Sequence, residues 1–243
     1  MATYGLIGKN IEYSFSKEFF ARKFELESLA HHYKNFDLPD IAAVKSLLSN
    51  NKSVSGFNVT IPYKEEVLSL LDKVDREAKK IGAVNTIKVT NSGQLIGYNT
   101  DNYGFAKALV EHFPLSQKQA LILGTGGASK AIAYVLKALE IKFKFVSRNP
   151  EEGQLGYEQL SKRIIEEQGL IINCTPLGTY PEIDESPNIP YRYLTDKQLL
   201  FDLVYNPEVS EFLKSGKCQG SRITNGKQML VFQAQKSWKI WNS

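Results

Sequence analysis

Residues 120–129 read ALILGTGGAS, and this stretch decides the fold. An apolar strand runs straight into a glycine-rich turn, and a helix of alanine, leucine and valine follows. Such glycines let the backbone turn tightly and approach a pyrophosphate, whose charge is met by free N–H groups at the helix N-terminus. The pattern departs from G-x-G-x-x-G because Ser129 stands in place of the third glycine, and glycine-rich turns also serve purely structural roles. The stretch predicts a nucleotide-binding domain, with its turn formed by Gly124, Gly126, Gly127 and Ala128.

The next predicted strand ends at Ser147, Arg148 and Asn149, where an NAD-binding domain usually offers an acidic side chain to the ribose hydroxyls. A carboxylate would repel a 2′-phosphate, whereas a guanidinium binds it in a fork. Arg148 therefore favours NADP over NAD as the cofactor. The alternative interpretation is a solvated arginine in a turn.

Strands and helices alternate along the whole chain, which predicts an α/β protein with mostly parallel sheets. Two domains are expected: one over residues 1–100 that is completed by a C-terminal helix over 226–243, and a Rossmann-like, doubly wound domain over 101–225. The predicted strands are 4–7, 32–36, 56–60, 85–89, 94–98, 119–123, 142–146, 170–173, 199–204 and 222–224. The predicted helices are 16–29, 40–50, 64–71, 75–81, 101–112 and 227–241.

The composition of the 243 residues, 42% hydrophobic and 23% charged, is that of an ordinary globular protein. The N-terminus lacks a basic segment followed by a long apolar stretch, so we expect a cytoplasmic protein with no membrane span. Cys174 and Cys218 do not have a metal-ligand spacing, and we predict no metal. The net charge of +4 comes from thinly spread lysines, which argues against nucleic acid and favours anionic small molecules.

Residues 56–64, GFNVTIPYK, end a predicted buried strand and deliver a hydroxyl and an amine into one small space. In an extended run Val59 and Ile61 face one side, so Thr60 faces the other. The proline that follows suits the first turn of a helix, which predicts Lys64 at a helix start. A cation is mildly disfavoured there, and a solvated surface lysine is the simpler interpretation of Lys64 taken alone.

GFNVTIPYK matches the G-x-N-V-T-x-P-x-K motif of the shikimate dehydrogenase family, and the resemblance extends from the first strand to the last helix. Residues 8–16, GKNIEYSFS, resemble its G-x-P-x-x-H-S-x-S-P segment, although Asn10, Tyr13 and Lys17 depart from it. The other matching segments are residues 82–86 (GAVNT), 97–104 (GYNTDNYG), 173–178 (NCTPLG), 201–207 (FDLVYNP) and 225–234 (NGKQMLVFQA).

The resemblance implies an enzyme that uses NADPH to reduce 3-dehydroshikimate to shikimate, in the synthesis of chorismate and aromatic amino acids. The N-terminal domain would bind the substrate, and the active site would lie in the cleft between the domains. Lys64 would be the general acid and base, with Asp101 orienting its amine. The other implied substrate contacts are Ser14 and Ser16 on the carboxylate, and Thr60, Asn85, Tyr205 and Gln233. The predicted cofactor residues are Gly124, Gly126, Gly127, Ala128, Ser147, Arg148, Asn149, Thr175, Val204, Gly226 and Met229.

Plainer interpretations of several residues stay open. Ser14 and Ser16 can be helix N-caps, and Ser16 is the better candidate of the two. Asp101 can be a first-turn carboxylate, Tyr205 a core aromatic, and Met229 a filler in a helix stripe.

Two other functions compete with this one. A quinate/shikimate dehydrogenase that prefers NAD would share the lysine–aspartate pair, but Arg148 argues against it. A non-catalytic ligand sensor would be expected to lose Lys64 or Asp101, and both are present. We expect a small-molecule substrate, no nucleic acid or membrane partner, and a monomer or weak homodimer.

Overall fold

The computed structural model describes residues 1–11, 14–113 and 119–243, so the predicted departure at Tyr13 lies outside the described residues. Its internal contacts divide the chain into two units. Unit 1 comprises Met1–Gly104 and Leu230–Ser243, and unit 2 comprises Phe105–Met229.

The elements of unit 1 are strands β1 (Thr3–Gly8), β2 (His32–Asp37), β3 (Val54–Val59), β4 (Lys73–Val74), β5 (Thr86–Val89) and β6 (Leu95–Tyr98), and helices α1 (Phe15–Leu26), α2 (Ala43–Asn50) and α3 (Arg76–Ile81). Helix α4 (Asp101–His112) crosses the first unit boundary. The sheet has the order β2-β1-β3-β5-β6-β4. Its two antiparallel pairings, β3 with β5 and β5 with β6, both involve β5.

The segment after β3 differs from the prediction. The strand ends at Val59, and Ile61 is 61% exposed, so the expected alternation of faces stops before Ile61. The Tyr63 N–H donates to the Thr60 carbonyl at 3.0 Å and closes a turn. A 3-10 helix over Glu66–Leu70 follows, so the prediction that Lys64 begins a helix is wrong.

The sheet of unit 1 carries a core on each face because successive side chains of a strand point to opposite sides. Ile7 of β1 belongs to an aliphatic cluster with Phe57 and Val67. Tyr4 of the same strand belongs to an aromatic cluster in which its ring stacks on Trp241 at 4.7 Å. Trp241 lies near the end of the C-terminal helix, so the end of the chain completes the core of unit 1.

The elements of unit 2 are strands β7 (Gln119–Leu123), β8 (Lys142–Ser147), β9 (Leu155–Gly156), β10 (Leu170–Asn173), β11 (Leu199–Asp202) and β12 (Arg222–Thr224), and helices α5 (Gly127–Ala138), α6 (Lys162–Glu166) and α7 (Glu211–Cys218). Helix α8 (Lys227–Trp241) crosses the second boundary. All strand pairings are parallel, in the order β12-β11-β10-β7-β8-β9.

The order of this second sheet reverses between β7 and β10. From β7 the chain proceeds outward through β8 and β9, then returns to the other side of β7 with β10 and proceeds to β12. This is the doubly wound topology that the glycine-rich turn predicts, and ligands of such sheets bind outside the carboxyl ends of the strands at the switch point. Elements β4, β9, α6 and α7 were not predicted, and three of these have two to five residues, too few to show a period.

Candidate active site and cofactor site

Lys64 and Asp101 form an ion pair in unit 1, with Nζ 2.6 Å from Oδ2. Their side chains are 15% and 2% exposed. The Lys64 carbonyl accepts a hydrogen bond from the Val84 N–H at 2.8 Å, which fixes the backbone that carries the amine. The interpretation of Lys64 as a solvated surface lysine is therefore wrong. The pair combines a buried anion with a cation that still has an open side.

Asp101 stands in the first turn of α4, yet another residue caps that helix. Asn99 Oδ1 accepts from the Asn102 N–H at 3.2 Å, and Asn99 Nδ2 donates to the Ala83 carbonyl at 2.9 Å. The carboxylate of Asp101 is thus available for side-chain partners.

Asn85 holds the second carboxylate oxygen of Asp101. Its Nδ2 donates to Asp101 Oδ1 at 2.9 Å, and its Oδ1 accepts from the Thr100 backbone N–H at 2.7 Å. Because a backbone N–H can only donate, the orientation of the amide is fixed without ambiguity. The structure therefore brings three predicted site residues, Lys64, Asn85 and Asp101, into one hydrogen-bonded group.

The two predicted carboxylate-binding serines have different surroundings. Ser14 is buried and caps α1, with Oγ accepting from the Lys17 N–H at 3.3 Å. Ser16 is the second residue of α1 and so lies inside the helix, which means that the prediction that Ser16 is the better cap is wrong. A capping hydroxyl uses only an acceptor lone pair, which leaves the O–H of Ser14 available to a ligand.

Thr60 and Gln233 also lie in unit 1. The Thr60 N–H donates to the Ile7 carbonyl at 2.9 Å, which places Thr60 directly after the carboxyl ends of β1 and β3. Gln233 is half-buried on α8.

The glycine-rich turn of unit 2 has the geometry that a pyrophosphate requires. Gly124 has φ +102°, and a Cβ built there would lie 3.3 Å from Thr175 Cγ2. Gly126 has an ordinary φ of −76°, and a Cβ there would meet nothing within 4 Å. Helix α5 begins at Gly127 with no side-chain cap, so no capping side chain occupies its first N–H groups. The backbone conformation at position 126 can be adopted by any residue, so the fold does not require glycine there. A glycine at this position would leave room for a ligand to approach the backbone.

Ala128 and Ser129 continue the first turn of α5. The Ser129 hydroxyl is fully buried, and in the described parts of the chain it has no hydrogen-bond partner. A buried polar atom without a partner costs about 1–3 kcal/mol. The turn thus fits a phosphate-bearing cofactor in its backbone geometry, its space and its polar groups.

Arg148 and Asn149 are exposed directly after β8. Ser147 Oγ accepts from the Asn149 N–H at 3.2 Å and shapes this turn. Burial raises the pKa of the nearby Tyr157, and the positive charge of Arg148 opposes that rise. Arg148 therefore lies near Tyr157, after the strand that pairs with β9 at the edge of the sheet.

Thr175 is tied to a buried carboxylate. Its hydroxyl donates to Asn173 Oδ1 at 2.6 Å, and Asn173 Nδ2 donates to Asp202 Oδ1 at 2.9 Å. Asp202 also accepts from the Val204 N–H at 3.0 Å and from the Ser210 hydroxyl. Burial raises the pKa of Asp202 to about 6, although these donors oppose the rise.

The remaining predicted cofactor residues lie around the end of β11 and the start of α8. The Gly226 N–H donates to the Val204 carbonyl at 3.3 Å, and a Cβ at Gly226 would lie 2.4 Å from the Leu203 carbonyl oxygen. Met229 is 3% exposed. Tyr205, half-buried, also belongs to unit 2.

Sequence reasoning missed a set of buried polar residues behind Asn85. Their hydroxyl, phenol and amide groups form one hydrogen-bonded network inside unit 1. A polar residue within a mostly apolar strand is the signal that could have found Asn58 and Thr86, because buried polar groups need partners. The residues are Tyr33, Asn58, Thr86, Thr100 and Ser237.

The described residues contain no group of His, Cys, Asp and Glu side chains arranged to hold a metal ion. Among the helices of those same residues, none has the length and apolar character needed to cross a membrane.

Comparison with known proteins agrees with this geometry. Residues 6–87 match the family model of the shikimate dehydrogenase substrate binding domain. The NADP(+) shikimate dehydrogenase of Clostridium botulinum strain Hall is 40% identical over 254 residues, which cover 99% of this chain and 96% of the relative.

Two solved structures extend the similarity to the whole fold. Shikimate dehydrogenase 1 from Peptoclostridium difficile has a TM-score of 0.89 at 36% identity, covering 100% of this chain and 92% of its own. The Thermus thermophilus enzyme, solved with NADP(H) and shikimate, has a TM-score of 0.87 at 30% identity, covering 99% and 93%. The chain therefore belongs to the shikimate dehydrogenase family.

Proposed function

We propose that this protein is an NADP-dependent shikimate dehydrogenase, which interconverts 3-dehydroshikimate and shikimate by hydride transfer. The observation that carries the proposal is the ion pair of Lys64 and Asp101, with Asn85 on the second carboxylate oxygen. A surface charge pair would have both side chains in solvent, whereas here the anion is 2% exposed.

The pair supplies what reduction of a ring ketone needs. NADPH supplies the hydride when it is bound. The carbonyl oxygen gains negative charge, and the Lys64 ammonium stabilises that charge and then donates its proton. Asp101 holds the ammonium in place, and Asn85 holds Asp101. In the reverse direction the neutral amine takes the proton of the substrate hydroxyl.

Unit 1 would bind the substrate and unit 2 the cofactor. Ser14 and Ser16 would donate their hydroxyl protons to the substrate carboxylate, and neither adds a charge beside the reacting carbon. The other substrate contacts would be Thr60, Asn85, Asp101, Gln233 and Tyr205. The N–H groups at the start of α5 would bind the pyrophosphate, and Arg148 would bind the 2′-phosphate of NADP.

The experiment is a spectrophotometric assay of purified protein with shikimate and quinate, each with NADP and with NAD. The proposal predicts the highest kcat/KM for shikimate with NADP. A preference for quinate or NAD would support the quinate/shikimate branch instead. Absence of turnover in all four reactions, with shikimate binding seen by calorimetry, would overturn the proposal in favour of a ligand sensor. Gel filtration with light scattering tests the expected monomer or weak homodimer.

A further inference from the structure

Ser237 lies on α8, far along the chain from Lys64, Asn85 and Asp101. Its side chain is fully buried. Its Oγ is 2.9 Å from Asn58 Nδ2, 2.9 Å from Thr86 Oγ1 and 3.4 Å from Thr100 Oγ1. Three polar groups from separate parts of unit 1 therefore meet at this hydroxyl.

The direction of the hydrogen bonds at Ser237 follows from its neighbours. The Tyr33 phenol donates to Asn58 Oδ1 at 2.9 Å, which turns the Asn58 Nδ2 group toward Ser237. An amide NH₂ group can only donate, so the Ser237 oxygen accepts from Asn58. The Ser237 hydroxyl can then donate its own proton to Thr86 or to Thr100, and Asn58 Nδ2 also donates to Thr86 Oγ1 at 3.2 Å.

Those two threonines connect Ser237 to the ion pair. The Thr86 and Thr100 hydroxyls donate to Asn85 Oδ1 at 3.2 and 3.1 Å. They lie 3.2 Å from each other, so either could donate to the other instead. When a threonine hydroxyl accepts the proton of Ser237, its own proton remains available to donate to Asn85 Oδ1.

We propose that Ser237 is a positioning residue for the Lys64–Asp101 pair, because its hydroxyl directs the threonine protons onto Asn85 and so keeps the Asn85 amide on Asp101. The inference rests on the proposed function for its catalytic consequence. Ser237 touches neither substrate nor cofactor in this account, and it acts through Asn85.

The test compares Ser237→Ala with the matched control Thr3→Val. Thr3 is also buried in unit 1, and its Oγ1 lies 3.0 Å from Ser53 Oγ, so the control removes a hydroxyl contact outside the network. We expect Ser237→Ala to lower kcat by about 3- to 10-fold, the scale of one hydrogen bond, with KM for shikimate and NADP within about twofold. Ser237→Thr, which keeps the hydroxyl, should restore most of kcat. A kcat for Ser237→Ala no lower than that of Thr3→Val would overturn the inference.

A second measurement does not depend on turnover. In two-dimensional NMR of the full chain, Ser237→Ala should shift the side-chain NH₂ signals of Asn85, and Thr3→Val should leave them in place. Unmoved Asn85 signals in a folded Ser237→Ala protein would overturn the positioning role. If the unmodified protein proves inactive, the proposed function fails, and the Asn85 signals still decide the inference.

Discussion

Each unit of this protein buries an aspartate at its candidate site, and the two are held in different ways. Asp101 of unit 1 pairs with the Lys64 ammonium and receives one amide N–H. Asp202 of unit 2 receives donors from Asn173, Val204 and Ser210, all of them neutral.

We infer from this difference that the Asp101 carboxylate serves chemistry and that the Asp202 carboxylate serves structure. A cation compensates the buried charge of Asp101 and also presents a transferable proton next to it. Neutral donors only partly compensate Asp202, so burial raises the pKa of this carboxyl group to about 6. The partners of Asp202 belong to structural elements. Asn173 ends β10, Val204 lies in the turn after β11, and Ser210 is the N-cap of α7.

Removing the cation would give Asp101 an environment like that of Asp202. We expect Lys64→Ala to lower kcat by about 10²–10⁴, because the proton donor to the substrate oxygen is lost. The affinity for NADP should stay within about twofold, since the amine lies outside the nucleotide-binding turn. Steady-state kinetics and calorimetry measure the two quantities.

Lys79→Ala is the control, since Lys79 is an exposed lysine of α3 in the same unit. Near-normal turnover in Lys64→Ala, or an equal loss in the control, would contradict the role of Lys64.

The raised pKa of Asp202 predicts a pH dependence of stability. The folded protein holds the Asp202 proton up to a pH of about 6, whereas the unfolded chain releases it near the ordinary value of 3.8. Between these values the folded state binds more protons, so this contribution to the free energy of unfolding falls as the pH rises, by up to about 3 kcal/mol. Below pH 3.8 and above a pH of about 6, the contribution of Asp202 to the free energy of unfolding no longer changes with pH.

Urea unfolding followed by circular dichroism, at several pH values across the window, measures this effect. Other groups titrate in both proteins, so the difference between the unmodified chain and Asp202→Asn isolates Asp202. The same slope in both would show that the buried carboxyl is not shifted.

The glycine turn tests whether unit 2 builds its site from backbone. Gly126→Ala should leave the free energy of unfolding within about 0.5 kcal/mol, because φ is ordinary and a Cβ meets nothing within 4 Å. It should weaken NADP binding by about tenfold or more, because the methyl group would stand where the pyrophosphate approaches.

Gly124→Ala provides the opposite pattern. With φ at +102°, it should destabilise the protein by about 1–3 kcal/mol. If calorimetry finds unchanged NADP affinity in Gly126→Ala, the pyrophosphate does not bind at this turn.

Arg148→Ala should give the smallest effect, since solvent screens an exposed charge. KM for NADP should rise by about 3- to 10-fold and become less sensitive to salt, while KM for NAD stays unchanged. Arg163→Ala, which removes another exposed arginine of unit 2, is the control. Equal losses for NADP and NAD would mean that Arg148 shapes the turn and does not bind the phosphate.

The sequence predicted the framework well where local signals are strong. The bounds of β7, β10 and α8 were predicted to the residue, and α4 and β12 were predicted at about their observed places, because local signals there are clear. Local signals failed where the surrounding fold decides. Ser14 and Ser16 are both good caps by type, but α1 begins at Phe15, so Ser14 is the cap and Ser16 lies inside the helix.

The network behind Asn85 shows the same limit. Ser237 meets Asn58 across 179 positions of the chain and Thr86 across 151, so no local pattern could reveal these contacts. Asn85 and Asp101 could be predicted because their segments resemble a known family. Asp202 stands in such a segment too, but its burial and its neutral partners became visible only in the fold.

Turnover of Asp101→Asn beside Asp202→Asn tests the central claim most directly. Both changes remove one buried carboxylate and keep its shape, and kcat is measured per folded molecule at saturating shikimate and NADP. We predict that Asp101→Asn loses about 10-fold or more in kcat, because Lys64 loses its counter-ion, and that Asp202→Asn stays within about threefold. Near-normal turnover in Asp101→Asn, or an equal loss in Asp202→Asn, would contradict the division between a catalytic and a structural aspartate.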